Sequence, residues 1–344
     1  MLHKRGNFLY HIHPARLPAS AVRFAYTLGL GGIAFWLFLI LAVTGALELF
    51  YYIPTAAEAN DSVKTIAYLA NYGWLVRNMH YWAAQGMVVA AFLHLCRVFF
   101  TGAAKGPRRF NWLLGVVLFL LTLFMDFSGY VLRWDQATQW ALLVGTNLVK
   151  EIPLAGGSFY SLLVGGRELS GATLLRFYGW HIVALPLLAF AIMVWHFWRI
   201  RRDGGISHPA PAAGQTSLLA SRDDLLFREL VAAVVVTCLL VLLAAVATVP
   251  IGPAADLTAI SPVEVRAPWI FVGVQVLLRY APPVVAGIIA PALFVLFLAA
   301  LPFVERGAEG TGVWFAPQRR GWLLAFGLVV AVGVALVVWG FVFL

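Results

Sequence analysis

Apolar residues in this chain come in long blocks separated by short polar segments. Seven blocks, at about 29–52, 80–100, 111–132, 179–200, 229–249, 283–304 and 321–343, are each about the length that crosses the hydrocarbon core of a bilayer as a helix. The pattern predicts an all-α integral membrane fold with seven transmembrane helices. In the long segment 133–178, the apolar stretches Trp140–Leu148 and Phe159–Val164 are too short to cross and read as surface helices. Residues 201–228 are polar and rich in Gly, Pro, Ala and Ser, which marks a boundary. The expected organisation is a four-span domain over 1–203, a linker over 204–228 and a three-span domain over 229–344.

Composition agrees with the block pattern. Of 344 residues, 62% are hydrophobic and 11% charged, against about 25% charged in soluble domains. The first apolar block is too long for a cleaved signal sequence and reads as a retained span. The net charge of +9 has its source in topology. Sixteen of the 24 Lys and Arg residues fall on the side shared by the amino terminus and loops 2–3, 4–5 and 6–7, against eight on the other. The positive-inside rule places the amino terminus in the cytoplasm and the carboxyl terminus outside, in a bacterial-type plasma (inner) membrane or its organellar equivalent. The lipid membrane is the expected surroundings, and no nucleic-acid partner is implied. Cys96 and Cys238 sit within apolar blocks and form no zinc or haem-attachment motif.

The polar residues kept inside the blocks carry the chemistry. The second span holds His80 and His94, 14 residues apart, and the fourth holds His181 and His196, 15 apart. At about 100° and 1.5 Å per residue, each pair lies on one helix face, its members about 21–22 Å apart along the axis. Both spans run from outside to inside, so His80 can face His181 at an outer level and His94 can face His196 at an inner one. Intramembrane ionisable residues are costly and tend to be functional, and neutral imidazole is an axial ligand of haem iron. The reading is two haem b groups, an outer one on His80 and His181 and an inner one on His94 and His196. Few carboxylates lie nearby to complete a metal site without haem.

Glycines repeat the period. Gly31 and Gly45 on the first span are 14 apart, as are Gly115 and Gly129 on the third. A glycine lets a backbone approach a planar group closely, although small residues also serve helix packing in membranes. Arg77 and Arg97 lie three residues outward of His80 and inward of His94, where haem propionates would pair with them or where they would snorkel to the interface.

The motifs resemble those of cytochrome b from the quinol-oxidising bc and bf complexes. The segments Asn78–Arg97, Ser128–Gln136 and Thr173–His196 carry the resemblance, which spans about 20–304 and is strongest over 45–205. The four-plus-three division is similar to the bf type, with its two separate chains fused here. The resemblance implies quinol oxidation at an outer site against Tyr130 to Gln136 and the 260–280 loop. One electron would go to a Rieske iron–sulfur protein and the other through both haems to an inner quinone site, for which Arg201 and His208 are candidates. It also implies a c-type cytochrome as a further partner and a homodimeric complex.

Three departures stand out. The family's Pro-Glu-Trp-Tyr motif, whose glutamate accepts a proton, reads Ala267-Pro-Trp-Ile270 here; Trp269 matches and Pro268 falls at the glutamate. Asp126, Glu48 and Glu264 are candidate replacements. The bf-type cysteine that attaches an extra haem corresponds to Gly29, so no covalently attached haem is expected. Arg133 replaces a proline and has quinone, a propionate or Asp135 as candidate partners. Two other readings stay open on the sequence: a haem-b membrane anchor of a different respiratory dehydrogenase or hydrogenase, and a seven-helix transporter, although matched halves of the transporter kind are absent.

Overall fold

The structure, a computed structural model, describes residues 15–209, 218–259 and 265–343. Eleven helices carry the description: α1 Leu30–Glu48, α2 Ala59–Tyr68, α3 Gly73–Phe100, α4 Arg109–Val131, α5 Gln136–Lys150, α6 Gly156–Val164, α7 Gly171–Arg202, α8 Arg222–Val246, α9 Trp269–Leu278, α10 Val284–Val304 and α11 Pro317–Phe343. Seven of them, α1, α3, α4, α7, α8, α10 and α11, are long and apolar enough to cross a membrane. The short helices α5 and α6 fall where the apolar stretches of 133–178 predicted them. Two more, α2 and α9, lie in the segments that lead into α3 and α10.

The first four spans form a bundle in which α1 packs on α3, α3 on α4 and α4 on α7. The later spans cover it: α8 lies on α1 and α3, α10 on α4, and α9 packs on α11. Close approach of α9 and α11 needs Gly340, where a Cβ would come within 2.7 Å of Val272 Cγ2. A short antiparallel pair, β1 Arg16–Pro18 with β2 Leu219–Ser221, ties the amino-terminal segment to the start of α8.

Span boundaries differ from the hydropathy pattern for physical reasons. The first span ends at Glu48 rather than near 52. The second begins at Gly73, seven residues before the predicted start, because its polar first turns find distant partners. Arg77 Nη1 donates to the Val249 carbonyl at 2.8 Å and Asn78 Nδ2 to the Ala244 carbonyl at 3.0 Å, and both side chains are buried. The fourth begins at Gly171, capped by Ser170, whose side chain and that of Thr173 satisfy each other's backbone N–H groups. It is not broken at Pro186. The turn before it, Trp180–Ala184, widens to a π turn, because proline brings no N–H and crowds the carbonyl four residues back. The same happens at Val284–Ile289 ahead of Pro291. In the fourth span the widened turn contains His181.

Two polar clusters bind the halves together. On the side of loops 2–3 and 6–7, Arg319 grips Glu305 with two hydrogen bonds of 2.6 and 2.8 Å, and Lys105 lies 3.1 Å from the same carboxylate, all buried. Burial alone would raise the Glu305 carboxyl. The hydrogen bonds and charges of Arg319 and Lys105 outweigh it and hold the group below its ordinary value. On the opposite side, Trp134 sits fully buried in the left-handed region (φ 47°). Asp135 then caps α5 by accepting from Thr138 N and also accepts from Gly252 N at 3.2 Å.

Candidate functional site

The helices bring the four histidines together as two levels. At the outer level, His80 of α3 and His181 of α7 face each other with ring centroids 6.2 Å apart and planes inclined at 73°. Two imidazoles on opposite sides of one metal ion, each about 2.0 Å from it, place their centroids about 6 Å apart. Among the described residues no group of three or more His, Cys, Asp and Glu converges to complete a protein-only metal site. A two-histidine donor set of this spacing fits a metal whose equatorial ligands come from a macrocycle. Fourteen and fifteen residues inward, His94 and His196 lie within electrostatic reach of each other. Between the two levels is an apolar layer including Phe38, Ala189 and Met193, with Phe35, Met87 and Leu121 against them.

Each histidine is backed by one of the repeating glycines. A Cβ on Gly45 would come within 3.1 Å of His80 Cε1, on Gly31 within 3.1 Å of His94 Cε1, on Gly129 within 2.6 Å of His181 Cε1, and on Gly115 within 3.7 Å of His196 Cε1. The 14-residue glycine period is therefore the imprint of the histidine period on the neighbouring helices. The glycines make room for ligand rings in these four contacts.

The outer level has hydroxyl partners that the sequence reading did not single out. Thr44 Oγ1 lies 2.9 Å from His80 Nδ1, and Ser128 Oγ lies 3.0 Å from His181 Nδ1. The Thr44 hydroxyl donates its one proton to the Ile40 carbonyl at 2.7 Å, and Ser128 donates to the Met125 carbonyl at 3.0 Å. Each hydroxyl is therefore an acceptor toward the ring, which places the imidazole proton on Nδ1 and leaves Nε2 as the ligating atom. The pairs Thr44-Gly45 and Ser128-Gly129 carry this signal in the sequence. The inner counterparts are Leu30-Gly31 and Leu114-Gly115, and there no hydroxyl meets either ring: the buried Nδ1 of His94 has no hydrogen-bond partner among the described residues, and His196 has the Asn111 backbone as its hydrogen-bonding neighbour.

The arginines divide. Arg97 stacks on Tyr26 at 4.6 Å and donates from Nε to the Tyr26 carbonyl at 3.3 Å, and its buried Nη2 has no hydrogen-bond partner among the described residues. Arg109 Nε is likewise buried with no hydrogen-bond partner among the described residues. Such orphaned donors suit an anionic group. Arg77 spends Nη1 on Val249. Arg201 lies in the last turn of α7 beside Arg199 and Arg202, and His208 follows with Nδ1 against the Pro209 carbonyl at 3.0 Å.

The outer candidates separate into two groups. Asp126 accepts from Gln85 Nε2 at 2.7 Å, and Gln85 Oε1 accepts in turn from Trp269 Nε1. Asp126 and Trp269 are thus joined through Gln85, a residue with no sequence signal of its own. Arg133 pairs with Asp135 at 3.0 Å and stacks over Tyr130 at 4.6 Å, which answers the question of its protein partners. Glu48 stands apart. It lines a cavity of about 610 Å³ with Tyr51, Ile66, Asn71 and Val76, between α1, α2 and α3, and its buried Oε1 has no hydrogen-bond partner among the described residues. Glu264 lies outside the described residues.

Seven spans enclosing facing, glycine-backed histidine pairs define the class: a membrane-embedded haem protein of electron transfer. Residues 16–204 match the family model of cytochrome b/b6/petB, and the chain belongs to the cytochrome b family. Similar curated proteins include cytochrome b6 of Gracilaria tenuistipitata var. liui, 45% identical over 180 residues that make up 52% of this chain and 83% of that one. Cytochrome b6 of Euglena gracilis is 44% identical, and that of Synechococcus elongatus 43%, over the same shares. A solved chain described as a hyperthermophilic respiratory Complex III superposes with a TM-score of 0.81 over 92% of this chain and 84% of that one, at 22% identity. Its coverage extends the likeness of fold into the carboxyl-terminal spans beyond residue 204.

Proposed function

We propose that this chain is the di-haem cytochrome b subunit of a quinol:acceptor oxidoreductase of the bc/bf type. It oxidises quinol at the outer face and passes one of the two electrons across the membrane to a quinone on the inner face. The observation that carries the reading is the pair of histidine levels, each ring backed by a glycine on the facing helix. His80 and His181 would hold the outer haem b, and His94 and His196 the inner one. Bound haem supplies one-electron redox chemistry at each level. Thr44 and Ser128 orient the outer ligands, Arg97 and Arg109 offer donors to propionates, and the apolar layer between the levels keeps water out of the path.

Tyr130, Arg133 and Trp269 shape the outer quinol site, and Arg201 and His208 stand at the inner one. The division at 204–228 into a di-haem half and a three-span half belongs to this proposal. So do the cytoplasmic amino terminus, the Rieske iron–sulfur and c-type cytochrome partners, and a dimeric complex. No covalently attached haem is expected at Gly29. The test is quinol-driven reduction of the purified complex followed at b-type absorbance. Two haems reduced by quinol support the reading, whereas haems that dithionite reduces and quinol does not would favour a dehydrogenase anchor.

A further inference from the structure

We propose that Asp126 is the base that takes a proton from quinol at the outer site, and that Gln85 is the positioning residue tying this carboxylate to Trp269. The inference rests on the quinol-oxidising reading above. It begins from hydrogen-bond direction. An indole N–H can only donate, so Trp269 Nε1 fixes the Gln85 carbonyl oxygen toward itself. The Gln85 amide N–H then faces Asp126, whose Oδ1 accepts it at 2.7 Å. The chain runs one way, from Trp269 through Gln85, and ends on a carboxylate oxygen. Oδ2 has no hydrogen-bond partner among the described residues and is free to receive a proton.

Position supports the same role. Asp126 precedes Gly129, which backs His181, by three residues, about 4.5 Å along α4 and roughly on the same face. Gln85 follows His80 by five residues on α3. The acid therefore lies about one helical turn from the outer histidine level. The third member comes from the other half of the chain, where Phe271 also meets Phe127 edge-on at 5.3 Å. A residue from α3, one from α4 and one from α9 thus converge on one carboxylate.

A purely structural ion pair does not account for this acid. Among the described residues no cation pairs with Asp126, and Arg133 is taken by Asp135. Of the titratable groups nearby, Tyr81 of α3 lies within electrostatic reach. A carboxylate held by neutral donors inside a membrane is costly, and such groups are kept for function.

The step balances simply. Quinol loses two electrons and two protons to become quinone. One quinol O–H bond breaks as an O–H bond forms on Asp126 Oδ2, and the second proton leaves at the outer face. One electron reduces a one-electron iron–sulfur acceptor on a partner subunit, and the other enters the path that begins between His80 and His181.

The test is rapid-mixing reduction of the b haems by a short-chain quinol in the purified complex, with the inner site blocked, across pH. Asp126→Asn is expected to slow reduction at least about tenfold, within the usual contribution of a general base, and to flatten its pH dependence. Asp126→Glu should restore part of both. Gln85→Leu removes a donor that favours the charged carboxylate, so its pH profile should move to higher pH while haem content and dithionite-reduced spectra stay unchanged. If Asp126→Asn loses haem, the Gln85→Leu profile decides. Wild-type rate and pH profile in Asp126→Asn, or an unmoved profile in Gln85→Leu, would overturn the assignment and leave the quinol reading intact. Wild-type haems that quinol does not reduce would remove the quinol reading and the assignment with it.

Discussion

Replacing Thr44 by valine keeps the side chain's shape and removes one acceptor. In the structure, the hydroxyl takes the Nδ1–H of His80 at 2.9 Å and sends its own proton to Ile40. A hydrogen bond from the far side of a ligating imidazole raises the ring's basicity and favours the oxidised metal. Losing it should raise the potential of the outer haem. A net hydrogen bond is worth about 1 kcal/mol, and a one-electron couple moves about 59 mV for each tenfold, or about 1.4 kcal/mol, change in equilibrium. The ceiling is therefore an upward shift of about 40 mV. Ser128→Ala should act alike through His181, and the double variant should sum the two because each hydroxyl serves its own ring. The inner haem should not move, since the two hydroxyls meet His80 and His181 and neither meets His94 or His196. The assay is a potentiometric titration of both b bands. A downward shift, an outer haem that stays put, or an equal shift of the inner haem would refute the reasoning.

Two more outcomes follow from packing and charge. Gly129→Ala sets a Cβ 2.6 Å from His181 Cε1 and should cost the outer haem, whereas Gly115→Ala, at 3.7 Å from His196 Cε1, should keep the inner one; haem content of the two purified variants checks this. Glu305→Gln leaves Arg319 and Lys105 as buried charges without their counter-ion, a change that costs about 3–5 kcal/mol. The Glu305 carboxyl is held below its ordinary value in the fold, so its contribution is complete above the ordinary carboxylate range and fades as pH falls through the lowered one. Thermal melts in detergent should show a large gap between wild type and variant at neutral pH and a small one in acid; a gap independent of pH would contradict this.

The spans and the histidine levels were legible in the sequence because both are local regularities: apolar length and a period of 14 or 15. The four glycines were legible for the same reason. What escaped depended on partners far along the chain. The outer turns of α3 looked polar and loop-like because Arg77 and Asn78 are satisfied by carbonyls near residues 244–249. The widened turn that absorbs Pro186 has no signature in the apolar pattern of its block. Gln85 carries no motif, and its meaning appears only when Asp126 and Trp269 are seen on either side of it. Thr44 and Ser128 were within reach, since a hydroxyl precedes the glycine at the outer level alone. Glu48 and Asp126 were both candidates for the missing glutamate, but the fold sends one into a cavity beside α2 and the other onto a hydrogen-bond chain.

The central claim is that the two histidine levels each hold a haem b. Its most direct measurement is haem quantification with a redox titration of the purified protein. Two non-covalent b haems per chain, titrating at separate potentials and reduced to one by His94→Leu, is the predicted result. An absence of b-type absorbance, a single haem in the wild-type chain, or an unchanged haem count in His94→Leu would contradict it.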